Sequence, residues 1–247
     1  MDHKEYIRIV PGAKAAVLFI HGIVGSPNHF DAFVPLVPES VTVYNMLLDG
    51  HGKGVRDFSN TSMGKWEAQV ATAVDMLCTS HESIYICAHS MGTLFAIEQA
   101  IRCPKVKKLF LLAVPIKFLL KPSMLPNMWK IYTGKIKPDD RIAGALMNCC
   151  SIRQDKNIFL YLGWIPRYFE LFAKIRQTRK RLHKLKTPCA VFQSARDEMV
   201  AKSAAKLLSA NPQITLTMLE RSRHFYYEPE EQEQLIAAFK ALVDKNT

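Results

Sequence analysis

Three residues that act together in acyl transfer each follow an apolar run in this chain. Ser90 sits in Ala88-His-Ser-Met-Gly92, Asp197 in Ala195-Arg-Asp-Glu198, and His224 in Ser222-Arg-His-Phe225. A serine hydroxyl is a weak nucleophile at neutral pH and needs a base to take its proton. Imidazole serves when a carboxylate fixes its tautomer. In the order Ser, Asp, His, each just past the C-terminal end of a strand, the three would share one edge of a parallel sheet. Ala88 and Gly92 are small, which lets a strand and a helix close around a strained turn with the hydroxyl at the positive end of the helix. His21-Gly22-Ile23 follows another apolar run. There a backbone N–H can share with the Met91 N–H the charge that develops on an attacked carbonyl oxygen. The pentapeptide alone would also fit an ordinary serine in a turn; the loops of Asp197 and His224 distinguish it.

Other residues compete for these roles. Glu198 adjoins Asp197 and is the rival carboxylate. His51, in Asp49-Gly50-His51-Gly52, is a rival for the base; His89 reads as packing beside the serine, and His21 as a brace for the His21-Gly22-Ile23 loop. Asp139-Asp140 reads as a helix N-terminus. No base can be tied to Cys149-Cys150 from sequence, so they read as packing residues. The glycines at 50–54 lack the order and the following helix that would cradle a phosphate. No paired Cys/His spacing suggests a metal, and no cofactor is expected.

The elements that must position these residues alternate between strand and helix. Tyr6–Val10, Ala15–Ile20, Val41–Asn45, Ile84–Ala88, Lys107–Ala113, Pro188–Ser194 and Ile214–Leu219 read as strands. Helices are expected from Ser26-Pro27 onward, over 63–80, from about Met91 to Arg102, and over Val200–Ser209 and Glu230–Val243. This is an α/β pattern, a mostly parallel sheet flanked by helices. Residues 115–186 are far too long for a simple βα connection and carry large apolar side chains, including Phe118, Trp129, Trp164 and Phe169. They read as a helical cap inserted into a single core domain made of 1–114 and 187–247.

With 247 residues, 49% hydrophobic and 22% charged, the composition is globular. The N-terminus lacks the apolar run of a signal peptide, no stretch is long enough to span a bilayer, and the six cysteines are scattered. Reduced thiols and a cytoplasmic location are therefore expected. The net charge of +11 lies in the cap, where 16 Lys/Arg face four Asp/Glu. Its densest part, Lys174 to Lys186, reads either as a solvated helix face or as a patch for anionic lipid surfaces. Nucleic acid is not expected, because no binding fold or stacking aromatics accompany the charge.

The segments VLFIHGIVGSP (17–27), LDGHGKG (48–54), AHSMG (88–92), SARDEMV (194–200) and SRHF (222–225) together resemble the α/β-hydrolase family, in its small carboxylesterase and monoacylglycerol lipase-like branch. Ala88 stands where that family usually has glycine. The resemblance implies an α/β-hydrolase fold with Ser90 as nucleophile, His224 as base then acid, Asp197 as its orienter, and the Ile23 and Met91 amides as oxyanion donors. It further implies a small-molecule ester substrate, with an apolar acyl part suited to the greasy cap. A lysophospholipase or thioesterase acting on anionic amphiphiles is the nearest alternative. A non-catalytic ligand-binding protein on the same fold is the alternative of another class.

Overall fold

A computed structural model describes residues 3–244. Seven strands form one sheet: β1 (Tyr6–Arg8), β2 (Ala15–Ile20), β3 (Thr42–Met46), β4 (Ser83–His89), β5 (Val106–Leu112), β6 (Cys189–Ser194) and β7 (Ile214–Leu219). Their order is β1-β3-β2-β4-β5-β6-β7. Only β1, at the edge, is antiparallel to its neighbour; the other pairs are parallel. The helices are α1 (Val55–Ser59), α2 (Met63–Ser80), α3 (Met91–Arg102), α4 (Leu125–Thr133), α5 (Arg141–Cys149), α6 (Ile165–Arg181), α7 (Ala204–Leu208) and α8 (Pro229–Asp244).

The unbroken apolar runs follow from burial on both faces. In β2, Ala16, Leu18 and Ile20 join a core with Trp66 of α2, Phe95 of α3 and Ile175 of α6. Its alternate residues, Val17 and Phe19, join a second core with Phe30, Phe33 and Phe239 of α8. Period-two alternation thus divides one strand between two cores. In α2, Ser62 caps the first turn by accepting from the Lys65 N–H, and Trp66, Val70, Ala73, Val74 and Leu77 form the buried stripe.

Three elements are shorter than their sequences suggest. β1 stops at Arg8, because Val10 N–H donates to the Thr42 hydroxyl and not to a ladder carbonyl. Ser26-Pro27 opens only a single 3-10 turn, Pro27–Phe30. The helix expected over 200–209 contracts to α7, because Val200 pairs with Phe118 in an antiparallel bridge that holds the chain extended there.

Between β5 and β6 the chain forms α4, α5 and α6. The start of this segment lies antiparallel on the Asp197 loop, with Leu119 N–H on Met199 O, Lys121 N–H on Glu198 O and Ala201 N–H on Lys117 O. α6 packs Leu171, Ile175 and Thr178 against the sheet's helical layer. The dense basic run is partly spent in ion pairs with core helices: Lys174 meets Glu67 at 2.7 Å, and Arg181 meets Glu98. Many of the large apolar side chains of this segment are open to solvent. Twelve of the seventeen exposed large hydrophobics among the described residues fall within 115–186, Phe159 (72%), Phe169 (68%) and Trp129 (65%) foremost. No helix of the described residues is long and apolar enough to cross a membrane, and all six thiols are free.

Of the glycines among the described residues, the one with least room lies where α3 starts beside β2. A Cβ on Gly92 would collide with the Ile20 carbonyl oxygen and lie 2.7 Å from that of His21. Both obstacles are backbone, so neither can swing aside. Gly92→Ala is expected to cost at least about 3 kcal/mol, the upper end of ordinary overpacking, which lowers the melting temperature by roughly 6–12 °C in a chain of this size. Thermal unfolding followed by circular dichroism checks this; a wild-type melting temperature would contradict the packing described.

Candidate active site

β4 ends at His89, α3 begins at Met91, and Ser90 makes the whole turn between them with φ 51° and ψ −123°. A non-glycine residue in that region carries about 1–3 kcal/mol of strain and persists only where its surroundings dictate it. Here Ser90 N–H donates to Leu112 O at 2.9 Å, and Ser90 O accepts from Thr93 N–H at 2.9 Å and from the Thr93 hydroxyl at 2.6 Å. Gly22 passes so close that a Cβ on it would lie 2.9 Å from that of Ser90. The turn leaves the hydroxyl at the C-terminal edge of the sheet.

The loops after β6 and β7 bring Asp197 and His224 to the same edge. Asp197 Oδ1 accepts from Met199 N–H (2.7 Å) and Val200 N–H (2.8 Å), which fixes the carboxylate before it meets histidine. His224 Nδ1 lies 2.8 Å from Asp197 Oδ2 and 3.0 Å from Oδ1, and His224 Nε2 lies 3.1 Å from Ser90 Oγ. A carboxylate only accepts, so the proton sits on Nδ1 and Nε2 is left to accept from the serine hydroxyl. Asp197 and His224 are 1% exposed and Ser90 5%.

Glu198, the rival carboxylate, has different work. Its Oε1 pairs with the Arg223 guanidinium at 2.6 Å, and Oε2 accepts the His224 backbone N–H at 3.2 Å. On the other side His89 Nε2 donates to His224 O at 3.0 Å. The main chain of His224 is therefore held at both its N–H and its C=O, and the ring is aimed by Asp197. Arg223 was not singled out in sequence. Its signal was present in opposite charges beside Asp197 and beside His224, on loops that had to meet.

His21 braces the Ile23 turn as expected. Its Nδ1 donates to Gly22 O at 2.8 Å, and its Nε2 accepts the Leu48 N–H at 3.1 Å. Gly22 O also accepts from Gly25 N–H at 3.0 Å. That carbonyl and the Ile23 N–H belong to one peptide plane, so fixing the first directs the second. Among the described residues, neither the Ile23 nor the Met91 N–H has a protein acceptor. His51 shapes its loop through Nδ1 contacts to Leu48 O and Asp49 O, each 3.2 Å.

A base does lie beside Cys149, which the sequence could not show. His29 Nδ1 is 3.3 Å from its Sγ. Burial pushes the thiol far above its ordinary range and pushes His29 down to about 3, so the pair is neutral and packs rather than reacts. His29 stacks on His89 with centroids 3.8 Å apart. Burial, with the charges of neighbouring histidines added, holds His89 and His21 well below the ordinary histidine value, and burial lowers His51 to about 4.

A doubly wound sheet of this strand order, a strained serine turn after the fourth strand and an aspartate and a histidine on later loops define the α/β-hydrolase class of fold. The chain belongs to the family described as serine aminopeptidase, S33, which matches residues 11–230. The structure is similar to that of a chain from the metagenome-derived lipolytic enzymes LipS and LipT, with TM-score 0.73, 17% identity, and 99% of this chain and 98% of that one covered. A monoacylglycerol lipase from Paleococcus ferrophilus gives TM-score 0.66 at 16% identity, covering 99% of each chain. Est1E from Butyrivibrio proteoclasticus, bound to ferulic acid, gives 0.66 at 19%, covering 98% and 94%. At these identities the likeness is one of fold. No curated protein matches the chain at a significant level.

Four buried neutral histidines make stability depend on acidity in a definite direction. In the unfolded chain each titrates at its ordinary 6.5, whereas in the folded protein His51 stays neutral to about 4 and His29 to about 3. Below 6.5 the unfolded state binds more protons, so stability falls as pH falls, by up to about 1.4 kcal/mol per pH unit for each such group. The melting temperature is expected to hold steady between about pH 8 and 7 and to fall steeply between about pH 6 and 4. A flat profile down to about pH 4.5 would contradict the neutral, buried state of these rings.

Proposed function

We propose that this protein is a serine hydrolase that cleaves carboxylic esters with an apolar acyl group through an acyl-enzyme intermediate. The supporting observation is one line of contacts: Ser90 Oγ to His224 Nε2 at 3.1 Å, and His224 Nδ1 to Asp197 Oδ2 at 2.8 Å. Ser90 Oγ attacks the ester carbonyl as His224 Nε2 takes its proton. The carbonyl oxygen becomes an oxyanion facing the Ile23 and Met91 amides. Collapse breaks the ester C–O bond, and His224 returns its proton to the departing alcohol. Water then attacks the acyl-serine with His224 again as base, releasing the acid and restoring the hydroxyl.

An ester suits the site better than a peptide with a free amino end. Both carboxylates built into it are committed, Asp197 to His224 and Glu198 to Arg223, leaving neither for a substrate ammonium. A ligand-binding role without turnover would give no reason to hold a strained serine, an aimed imidazole and a buried carboxylate in line.

The exposed apolar side chains of the cap favour an amphiphilic substrate, of the monoacylglycerol, lysophospholipid or acyl-thioester kind, met at a lipid surface. Trp129 and Phe159 stand out from a segment whose Lys and Arg outnumber its Asp and Glu fourfold. Lys or Arg near an anionic surface contributes about 1 kcal/mol each, and exposed rings add apolar insertion.

A fluorophosphonate should label Ser90 and no other serine. Ser90→Ala and His224→Ala should each lower kcat on a short ester by about 10⁴, with the fold intact, because the members of such a unit fail together. Asp197→Asn should lose far more rate than Glu198→Gln; the reverse ranking would reassign the acid. Flotation with vesicles should show binding to anionic lipid that weakens with salt, as screening requires, and that drops when Trp129 and Phe159 are both changed to Ala. Equal binding by that variant would remove the cap from the lipid contact.

A further inference from the structure

The cap reaches the reacting centre through its backbone. After α5 the chain crosses the turn that carries Ile23: Cys149 packs on His29, Ser151 lies on Val24 and Gly25, and Arg153 N–H donates to Lys53 O at 2.8 Å. Ser151 is buried, and it donates twice to adjacent carbonyls of that turn, its N–H to Val24 O at 3.1 Å and its hydroxyl to Gly25 O at 2.5 Å. The turn needs outside support. Val24, a β-branched residue, has φ 49°, a conformation it rarely adopts unaided.

We propose that Ser151 is a positioning residue of the active site, which fixes the direction of the Ile23 N–H from the cap. The route is short and continuous. Ser151 holds the Val24 and Gly25 carbonyls; Gly25 N–H holds Gly22 O; and Gly22 O lies in the same peptide plane as the Ile23 N–H. His21 holds that carbonyl from the sheet side, so the oxyanion peptide is set jointly by core and cap. A cap displaced at 149–153 would release one of those two supports, tying cap position to the stabilisation of negative charge on the substrate oxygen. This inference rests on Ile23 N–H being an oxyanion donor.

The test compares the intact protein with Ser151→Ala, which removes the hydroxyl donor and keeps the backbone one, and with Ser151→Thr, which keeps both. Ser151→Ala should lower kcat on a short soluble ester about tenfold, since small misplacement of a charge-stabilising group is costly in rate. KM should change less than about twofold, because the lost support acts on the developing charge and not on ground-state binding. The rate of fluorophosphonate reaction at Ser90 should fall by a similar factor. Ser151→Thr should recover kcat to within about threefold of the unchanged protein. Should Ser151→Ala fail to fold, Ser151→Cys, of similar size and a weaker donor, must show the same split. Unchanged kcat, a rise in KM alone, or a loss that Thr does not recover would overturn the assignment of Ser151. If the unchanged protein is not labelled at Ser90, the nucleophile reading has failed and this inference fails with it.

Discussion

The site depends on one steric constraint, the wedge of backbone where Ser90 turns between β4 and α3. Gly92 lets α3 lie against the Ile20 and His21 carbonyls, Gly22 lets the next loop lie against the Ser90 Cβ, and Ser90 takes the strained conformation that remains. The strain of about 1–3 kcal/mol is offset by sheet and helix packing on both sides. From that wedge follow the position of the hydroxyl at the sheet's C-terminal edge, the helix N-terminus beneath it, and the distance at which an imidazole must arrive.

The surroundings keep charge in a few places. Asp197 sits under two backbone amides, Glu198 is neutralised by Arg223, and the four nearby histidines other than His224 are driven neutral by burial. Buried, polar but mostly uncharged surroundings strengthen each remaining dipole and hydrogen bond. Packed imidazoles serve this better than aliphatic side chains would: His89 and His21 each donate a hydrogen bond to a carbonyl beside the reacting groups while remaining uncharged. Residues 115–186 are tied to these surroundings through backbone pairs to the Asp197 loop at their start and to the Ile23 turn after α5.

Much of this was legible in the sequence, and the reason is local. Ser90, Asp197 and His224 each follow a strand directly, and a parallel sheet places strand ends side by side whatever the details of its helices. Strand interiors announced themselves as apolar runs because both faces are covered. The missed features are those set by contacts between distant segments. The short α7 follows from Phe118 pairing with Val200 in an antiparallel bridge, which holds the chain extended where the helix was expected to start. His29 beside Cys149 and Ser151 on the Ile23 turn join residues more than 100 positions apart, with no periodicity to mark them. The apolar residues of the cap were read as pocket lining, since composition cannot say which face of a helix turns outward; twelve of them turn to solvent.

The central claim is that a covalent acyl group passes through Ser90. Rapid mixing with a p-nitrophenyl ester, followed by acid quench and mass analysis, addresses it directly. A burst of nitrophenol equal to about one per chain is expected where deacylation limits turnover, with the acyl mass found on the peptide that contains Ser90. Steady turnover in which quenched protein never carries the acyl group, or carries it on another residue, would contradict it.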